Sequence, residues 1–171
     1  MPNNGNTKPD FRGIKTTNNR PYDPELISYI NDKLDTMNVD RRAAILGQII
    51  EESGGNPFAK SNKGTYQGLL QWAADRYRIS DVKDVFKAID EQLKYFINSS
   101  KNTTDRKSWT HGGKGSGYNS LKEPYDIFWD NTSSLEDKHR AFSWSYVRPE
   151  GKDQSEANRL LVEKQVKDRI K

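Results

Sequence analysis

The segment that follows Ser80 keeps an unbroken helical period, and no other feature of the sequence constrains the fold as strongly. Its apolar side chains recur three and four residues apart, at Val82, Val85, Phe86, Ile89, Leu93, Phe96 and Ile97. This spacing predicts an amphipathic helix whose apolar side packs on the core. No run of alternating apolar and polar residues predicts a strand, and no internal repeat occurs. The sequence therefore favours a mainly α fold.

Two further helices are predicted before residue 56. Asp23 followed by Pro24 is typical of a helix N-terminus, because a carboxylate caps free amide groups and proline fits the first turn. We expect this helix to end at Asn38. The second helix is predicted to begin after Asp40 and to end at the pair 54–55, where two glycines suit the left-handed conformation of a helix C-terminus.

The later segments alternate between polar loops and helical patterns. Gly, Ser, Thr and Asn mark the loops, and a Ser-x-x-Glu capping box marks one helix start. In chain order we predict a loop or small hairpin over 56–68, a helix over 69–78, a long polar loop over 99–122 with a glycine-rich hinge or flap at 112–117, a helix from the capping box at Ser133 and Glu136 to Val147, and a helix over 155–170 with Leu160, Leu161 and Val166 on its inner side.

Chain length and the composition of the first residues define the predicted domain organisation. A chain of 171 residues fits one domain and leaves no room for two independent cores. Residues 1–21 are rich in Asn, Pro, Gly, Lys and Thr, with few apolar side chains to offset the entropy of ordering. We therefore expect a flexible arm over residues 1–21 and a single domain over residues 22–171.

Composition excludes several classes of function. The chain has no Cys, and its two His residues, His111 and His139, lack the spacing of a zinc site, so we expect no metal and no other cofactor. No apolar run is long enough for a membrane span and no signal peptide is recognised, so we expect no membrane insertion. The net charge of +4 favours polyanions in general, but no nucleic-acid-binding motif supports a nucleic-acid partner.

The two glutamates at the end of the second helix differ in their predicted surroundings. At about 100° per residue, Ile45, Ile49 and Ile50 form one apolar face. Glu52 lies at the edge of this face, whereas Glu51 lies nearly opposite its centre. We expect Glu51 to be solvated and Glu52 to be partly buried, which raises the pKa of a carboxyl group. Such a glutamate is a candidate general acid for breaking a glycosidic bond, and the alternative is an ordinary surface or ion-paired side chain.

The residues that follow resemble a known enzyme family. The sequence ESGGNP at residues 52–57, followed by GLLQW at residues 68–72, looks like the paired motif of lysozyme-like peptidoglycan-cleaving enzymes, which include goose-type lysozymes and lytic transglycosylases. The closest variant is the phage tail lysozyme type. That type often carries an Arg shortly after the second motif, here Arg76, and a Tyr-x-Arg-Pro element, here YVRP at residues 146–149. The resemblance covers roughly residues 24–150.

This resemblance implies a single lysozyme-like domain, with a small loop or hairpin after the catalytic helix, that cleaves bacterial peptidoglycan. Glu52 would be the catalytic acid at the β-1,4 bond between N-acetylmuramic acid and N-acetylglucosamine. Ser53 and Gln71 would be further site residues. Gln71 offers an amide to the sugar, and Gly68 permits a close approach of the backbone to the substrate.

Three aromatic residues of these motifs are candidates for substrate contact. Tyr66 and Trp72 can either stack on a sugar ring or pack in the core, and the sequence does not decide between the two. Tyr146 of the YVRP element is the third candidate. We expect Arg148 of the same element to form a structural ion pair.

A second catalytic carboxylate is harder to assign. Hydrolysing glycosidases place one near the acid, and in goose-type lysozymes an Asp usually lies two residues after the motif glutamine, where Ala73 stands here. Asp75 is the nearest substitute, because it follows Gln71 by one turn of the predicted helix. Asp126 and Asp130 are more distant alternatives. Since a lytic transglycosylase needs no second carboxylate, the formation of 1,6-anhydromuramic ends stays open as the alternative. The closer resemblance to the phage tail lysozyme type favours hydrolysis, so we expect a muramidase.

The expected partner is bacterial peptidoglycan, and the expected place of action is the cell wall or periplasm. Because no signal peptide is recognised, we expect delivery by a phage tail or a secretion system, and an immunity protein is a further candidate partner. The alternative to an enzyme is a cell-wall-binding or virion structural module that has the fold without turnover.

Overall fold

The computed structural model describes residues 7–101, 109, 124–147 and 152–171, with side chains in the last range from Glu156 onward. Its elements are, in chain order, a 3₁₀ turn Thr17–Asn19, helices α1 Pro24–Lys33 and α2 Val39–Ser53, strands β1 Tyr66–Gln67 and β2 Trp72–Ala73, helices α3 Val85–Lys101, α4 Pro124–Trp129 and α5 Leu135–Arg140, a π-helical segment Ala141–Val147, and helix α6 Lys152–Ile170. The fold is mainly α, as predicted. The glycine-rich stretch at 112–117 and Arg148 lie outside the described residues, and no described helix is long and apolar enough to cross a membrane.

The first two helices begin at side chains that cap their free amide groups. The Asp23 carboxylate accepts two backbone amides of the first turn, which confirms the predicted start of α1. Helix α1 ends at Lys33 rather than at Asn38, because Asn38 caps α2 by accepting an amide of its first turn at 2.9 Å. Helix α2 ends as predicted at Gly54, whose φ is +63° and where a Cβ would come within 2.6 Å of the Pro21 carbonyl oxygen.

The segment predicted as a helix over residues 69–78 contains the second strand of a hairpin instead. Strands β1 and β2 form an antiparallel ladder. Gly68 and Gln71, which lie between the strands, have φ angles of +86° and +48°, and an α-helix does not permit such values. The helix prediction is wrong because the apolar residues Leu69 and Leu70 are typical of a buried helix, whereas here they are buried in a tight turn.

Helix α6 packs along α2 in the opposite direction, and this contact forms the centre of the fold. Nζ of Lys167 lies 2.7 Å from Oδ1 of Asp40 near the start of α2. Two turns further along α2, Gly47 lies against Glu163, and a Cβ at this position would overlap the Glu163 side chain. Because Gly47 has no side chain, the two helices approach each other closely along this line.

The buried face of α6 differs from the prediction. Leu161, which was expected to face inward, is 57% exposed, and Leu160 is only partly buried. The buried positions recur at helical spacing and include two charged residues: Arg159, Val162, Glu163, Val166 and Ile170. Since Arg and Glu are mostly exposed in proteins, hydropathy alone did not identify the inner side of this helix.

Aromatic rings pack between α3 and the π-helical segment. Phe96 of α3 makes edge contacts with Phe142 and Tyr146, with ring centres 5.6 and 5.4 Å apart. Trp109 is buried against the Tyr146 ring at 5.2 Å. These contacts confirm α3 as a core helix, although Phe86 in its first turn is 46% exposed and does not join its inner side.

The helix predicted to reach Val147 consists of α5 and the π-helical segment that continues it. Its N-cap is Ser134, whose Oγ accepts the Asp137 amide at 3.1 Å, and not Ser133. Oγ of Ser133 instead accepts a hydrogen bond from the buried ammonium group of Lys138 at 2.6 Å. A helical segment that reaches Val147 is therefore present as predicted, and its N-cap lies one residue later than predicted.

The N-terminal segment over residues 7–22, here called the strap, packs on the domain. Phe11 and Ile14 are buried in the core. The hydroxyl of Tyr22 donates to the Phe11 carbonyl at 2.6 Å and accepts the Ile14 amide at 2.8 Å. The expectation of a flexible arm is therefore wrong for residues 7–21, because two apolar side chains anchor a segment whose composition is otherwise polar.

Backbone hydrogen bonds also tie the strap to α6. Nη1 of Arg169 donates to the carbonyl oxygens of Asp10 and Arg12, at 2.7 Å in each case. The Gln165 side chain accepts the Lys15 amide at 2.9 Å and donates to the Lys15 carbonyl at 3.0 Å. These bonds satisfy main-chain groups of the strap and hold α6 against the rest of the domain.

Replacing Phe11 by Ala should destabilise the domain, because it leaves a cavity where the strap meets the core. The expected loss in the free energy of unfolding is about 3–5 kcal/mol, measured by urea denaturation. Leu161→Ala is the control, since this exposed side chain should contribute less than about 0.5 kcal/mol. Equal stability of the two variants would show that the strap does not contribute to the folded state.

Candidate active site

Glu52 lies in the last turn of α2 with only 12% of its side chain exposed. Its Oε1 accepts a hydrogen bond from Nη1 of Arg159 on α6 at 2.7 Å. The same nitrogen donates to Oε1 of Gln48, one turn earlier on α2, at 2.7 Å. The guanidinium group therefore holds the Glu52 carboxylate in one position at the edge of the contact between α2 and α6.

Burial is the main influence on the charge of Glu52. Removal of the carboxylate from water raises its pKa. The positive charge and the hydrogen bond of Arg159 oppose this effect, as does the charge of Arg20, while the neighbouring charge of Glu51 adds to it. The net shift of the pKa is upward, in the direction that the helical spacing predicts.

Glu51 is buried, so the expectation that it is solvated is wrong. The backbone amide of Thr17 donates to Oε1 of Glu51 at 2.9 Å, and the Arg20 side chain donates to the Glu51 carbonyl. Both partners belong to the strap, which covers the side of α2 that appeared open from its own sequence. The pattern within one helix does not show this cover, because Thr17 is 34 residues away in the chain.

Ser53 joins the end of α2 to the turn of the hairpin. Its Oγ donates to the Leu69 carbonyl at 2.8 Å. At the end of the same turn, Nε2 of Gln71 donates to the carbonyls of Ala59 and Gly68 at 3.0 and 2.9 Å, and Oε1 of Gln71 accepts no hydrogen bond from any described residue. Both motif residues thus fix the shape of a turn that lies directly beside the residue following Glu52.

Gly68 is required by contacts inside the protein. Its φ is +86°, and a Cβ would lie 2.7 Å from Oε1 of Gln92 and 3.2 Å from the Trp72 ring. Gln92 on α3 supports the turn, because it accepts the Leu69 amide at 2.8 Å and donates to the Pro57 carbonyl at 2.7 Å. Gln92 was not predicted to belong to the site. In the sequence it differs from its surroundings only as a polar residue within the apolar stripe of α3.

Trp72 and Tyr146 are core residues, so their predicted contact with substrate is wrong. Trp72 is 2% exposed and Tyr146 is fully buried. Nε1 of Trp72 donates to the Tyr146 hydroxyl at 3.3 Å, and this hydroxyl lies 2.6 Å from Oγ of Ser99. Burial raises the pKa of Tyr146 to about 12. Both rings fill the interior, and their polar atoms find partners there.

Arg76 links the hairpin to the π-helical segment. Its guanidinium carbon lies 4.8 Å from the centre of the Tyr146 ring, and its Nη1 donates to the Tyr146 carbonyl at 2.9 Å. The Tyr95 hydroxyl on α3 donates to the Arg76 carbonyl at 3.1 Å. The second motif and the start of the YVRP element therefore meet in space, although 74 residues separate Trp72 from Tyr146.

Both motifs lie within the range that matches one known protein family. The family model described as phage tail lysozyme matches residues 32–167, a range that includes the motif residues from Glu52 to Tyr146. The chain belongs to the phage tail lysozyme family. Membership implies lytic action on peptidoglycan. Searches of curated proteins and of solved structures return no match.

Among the residues predicted to contact the substrate, Tyr66 stays a candidate. It begins β1 and is half-buried. Its backbone amide and carbonyl are bound to Oγ and the amide of Ser61 at 3.1 and 2.9 Å. The backbone is therefore fixed while part of the ring faces outward, next to the turn that carries Gln71.

The three aspartates predicted as a second carboxylate lie in ordinary surface or turn positions. Asp75 is exposed in the turn after β2, and because this segment is not a helix, the argument that placed it on one face with Gln71 is wrong. Asp126 is exposed on α4. Oδ1 of Asp130 accepts the amide and the hydroxyl of Thr132 at 2.8 and 2.7 Å, which stabilises a local turn.

A buried group of charged residues lies beside Glu52. The sequence did not predict it, because each of these residues lies in a charged stretch typical of an exposed helix. Nε2 of His139 on α5 lies 2.9 Å from Oε2 of Glu156, and its Nδ1 contacts Glu163. Together with Glu52 and Arg159 these three residues are called the ionic cluster. The described residues contain no group of three or more His, Asp or Glu that could hold a metal ion.

Burial and ion pairing act on the ionic cluster in opposite directions. Burial lowers the pKa of His139, but hydrogen bonds and charges from Glu156 and Glu163 outweigh it and raise the pKa to about 9. Burial raises the pKa of Glu163 to about 7, against the influence of His139. Burial also opposes the charge of Glu156, but hydrogen bonds from His139 and Ser143 outweigh it and lower its pKa.

Arg159→Gln should raise the pKa of Glu52 above its wild-type value, because the guanidinium group is the main influence that opposes burial. The pKa can be measured by ¹³C NMR titration of the glutamate side chains, with Glu52→Gln used for assignment. Arg12→Gln is the control, since Arg12 pairs with Asp10 at the surface and should not affect Glu52. An unchanged or lower pKa in Arg159→Gln would contradict this balance of burial and ion pairing.

The free energy of unfolding should decrease as the pH rises from about 6 to about 9.5. The folded-state pKa values of His139 and Glu163 both lie above their ordinary values of 6.5 and 4.5. Stability from such groups is complete below the ordinary pKa and is lost as the pH rises through the folded-state pKa. For His139 the loss is on the order of 2–3 kcal/mol, measured by urea denaturation at several pH values.

The control for this pH dependence is the double variant His139→Gln, Glu163→Gln, which lacks both titrating groups. Its free energy of unfolding should change less over the same pH range than that of the wild type. If wild type and double variant lose stability in parallel, the ionic cluster is not the cause of the pH dependence.

Proposed function

We propose that the protein is a muramidase that hydrolyses the β-1,4 bond between N-acetylmuramic acid and N-acetylglucosamine in peptidoglycan. Membership in the phage tail lysozyme family supports action on this polymer. The observation that carries the reaction is the state of Glu52, a carboxyl group with a raised pKa that Arg159 holds at the end of α2. Such a group keeps its proton at higher pH than an ordinary glutamate and can transfer it to a glycosidic oxygen.

In this proposal Glu52 acts first as a general acid. It transfers its proton to the glycosidic oxygen while the bond from that oxygen to the anomeric carbon breaks, which leaves positive charge on the sugar ring. A water molecule then adds to the anomeric carbon and loses a proton. Each cleavage consumes one water molecule and produces one reducing end, and Arg159 stabilises the ionised Glu52 until it is protonated again.

The turn of the hairpin supplies the proposed substrate contacts. Oε1 of Gln71 can accept a hydrogen bond from the sugar, and the ring of Tyr66 can pack on an apolar face of it. Ser53 and Gly68 contribute indirectly, because their contacts hold this turn beside the acid.

A lytic transglycosylase is the second candidate, and Ala73 favours it. The aspartate that goose-type lysozymes usually carry two residues after the motif glutamine is missing here. In this alternative the C6 hydroxyl of muramic acid, and not water, attacks the anomeric carbon and gives its proton to the ionised Glu52. The product is a 1,6-anhydromuramic end, so the two reactions differ in product while the first step is the same.

The proposed place of action is the bacterial cell wall, and the proposed route of delivery is a phage tail, in agreement with the family. A net charge of +4 favours binding to anionic wall polymers, an effect that salt weakens. Delivery by a secretion system and recognition by an immunity protein stay predictions from the resemblance.

Glu52→Gln should reduce the release of soluble fragments from purified peptidoglycan by about 10²–10⁴-fold, because glutamine has no proton to transfer. Binding to insoluble peptidoglycan and the thermal unfolding temperature should stay close to those of the wild type. Mass spectrometry of the fragments identifies the reaction, since reducing ends indicate hydrolysis and anhydro ends indicate a transglycosylase.

The control is Glu136→Gln, which removes an exposed carboxylate that pairs with Lys164 at 3.4 Å and should leave activity unchanged. A wild-type protein that binds peptidoglycan but never solubilises it would refute the enzyme and favour a cell-wall-binding or virion structural module. An active Glu52→Gln variant would refute the assignment of the acid.

A further inference from the structure

Helix α6 brings a second partly exposed carboxylate to the end of the molecule where Glu52 lies. Because α6 runs antiparallel to α2, its residues approach the end of α2 as their numbers fall. Glu163 lies against Gly47, and Arg159 reaches Glu52. The next turn toward the N-terminus of α6 carries Glu156, which the sequence analysis did not select.

Glu156 and Arg159 point into the same region. A helix rotates by about 100° per residue, which places Glu156 roughly 60° from Arg159 and roughly 20° from Glu163 around the axis. The positive charge of Arg159 acts on both Glu52 and Glu156. Each of these two carboxylates has 12% of its side chain exposed, whereas Glu163 has none. Part of the Glu156 side chain is therefore open to water, although its Oε2 is buried, whereas Glu163 is fully enclosed.

The surroundings of Glu156 keep it in the ionised form. Oγ of Ser143 donates to its Oε1 at 2.8 Å, and Nε2 of His139 lies 2.9 Å from its Oε2. These partners lower the pKa of Glu156, while burial raises that of Glu52. Two carboxyl groups with oppositely shifted pKa values are the usual arrangement of an acid and a base in glycoside hydrolysis.

The charges of the ionic cluster favour the same assignment. Its members are two cations and three carboxyl groups, so the cluster is neutral when one carboxyl keeps its proton. Burial disfavours net charge, and the pKa values of Glu52 and Glu163 are raised while that of Glu156 is lowered. The retained proton therefore belongs to Glu52 or Glu163, and Glu156 is the carboxylate of the cluster that stays ionised.

We propose that Glu156 is the second catalytic carboxylate of the site, a general base for the water molecule that attacks the anomeric carbon. This inference rests on the proposed cleavage of glycan by Glu52. Oε1 of Glu156 accepts one hydrogen bond, from Ser143, and keeps a lone pair that can accept a hydrogen bond from water, whereas Oε2 is buried and faces His139. His139 and Ser143 are then positioning residues, because they hold the base and do not touch the substrate.

The water oxygen forms a bond to the anomeric carbon while one of its protons moves to Glu156. The bond between the anomeric carbon and the glycosidic oxygen breaks, and that oxygen takes the proton of Glu52. The products are a reducing end of inverted anomeric configuration and a free hydroxyl, and transfer of one proton through solvent restores both carboxyl groups.

The test compares the wild type with Glu156→Gln and Glu52→Gln on purified peptidoglycan. Glu156→Gln should lower kcat by about 10²–10⁴-fold, with little change in KM, and should remove the acidic limb of the pH profile. Sodium azide should restore cleavage by Glu156→Gln and yield a glycosyl azide, because azide attacks without a base. It should not restore Glu52→Gln, and Glu136→Gln should resemble the wild type in every assay.

A role of Glu156 in structure alone would reduce stability, but it would not produce rescue by azide. Glu156→Asp covers the case in which Glu156→Gln does not fold, because it keeps the charge and is one methylene shorter. It should cleave about 10–10²-fold more slowly than the wild type, with an inverted product detected by NMR.

Three results would overturn the assignment of the base: a folded Glu156→Gln or Glu156→Asp variant with the wild-type rate, failure of azide to rescue a folded Glu156→Gln, or a product that retains its anomeric configuration. If any of these appears while Glu52→Gln is inactive, the proposed function stands and only the role of Glu156 is lost. If the wild type itself releases no fragments, the proposed function fails first.

Discussion

Helices α2 and α6 lie so close together at Gly47 that Glu163 packs directly on the backbone of α2. At this separation Arg159, one turn away on α6, reaches both Gln48 and Glu52. The ion pair fixes the position of Glu52, and the same contact excludes most of the water that would otherwise keep Glu52 in its ordinary charge state. The position and the proton affinity of Glu52 therefore depend on one spacing between two helices.

The strap supports this arrangement from outside the range that the family model matches. It covers Glu51 through the Thr17 amide, and it holds the far end of α6 through Arg169. The family range begins at residue 32, so the strap lies outside the matched residues. Three segments that are distant in the chain thus determine the surroundings of Glu52: the strap, α2 and α6.

Local features of this fold are accessible from the sequence, and those that depend on distant contacts are not. The Asp23 cap, the end of α2 at Gly54 and the position of Glu52 at the edge of an apolar face follow from neighbouring residues alone. A loop or small hairpin after α2 was predicted, but its second strand was assigned to a helix, because the turn depends on Gln92 of α3, which holds the Leu69 amide. Trp72 was ambiguous for the same reason, since only the folded chain places it beside Tyr146.

The charged part of the site shows this limit most clearly. His139, Glu156 and Arg159 each lie in a stretch whose composition is typical of a solvent-exposed helix. Their burial results from the packing of α5 and α6 on α2, which places opposite charges together away from water. A pattern within a single helix contains no information on such pairs, so the carboxylates beside Glu52 could be found only in the assembled structure.

The hydrogen bond from the Ser53 side chain to the Leu69 carbonyl joins two parts of the site, the end of α2 and the turn of the hairpin. The turn of the hairpin carries the groups that would contact the sugar. The contact between α2 and α6 determines the pKa of Glu52. The turn that would contact the sugar and the helix pair that determines the surroundings of Glu52 are thus separate parts of the fold, joined at Ser53.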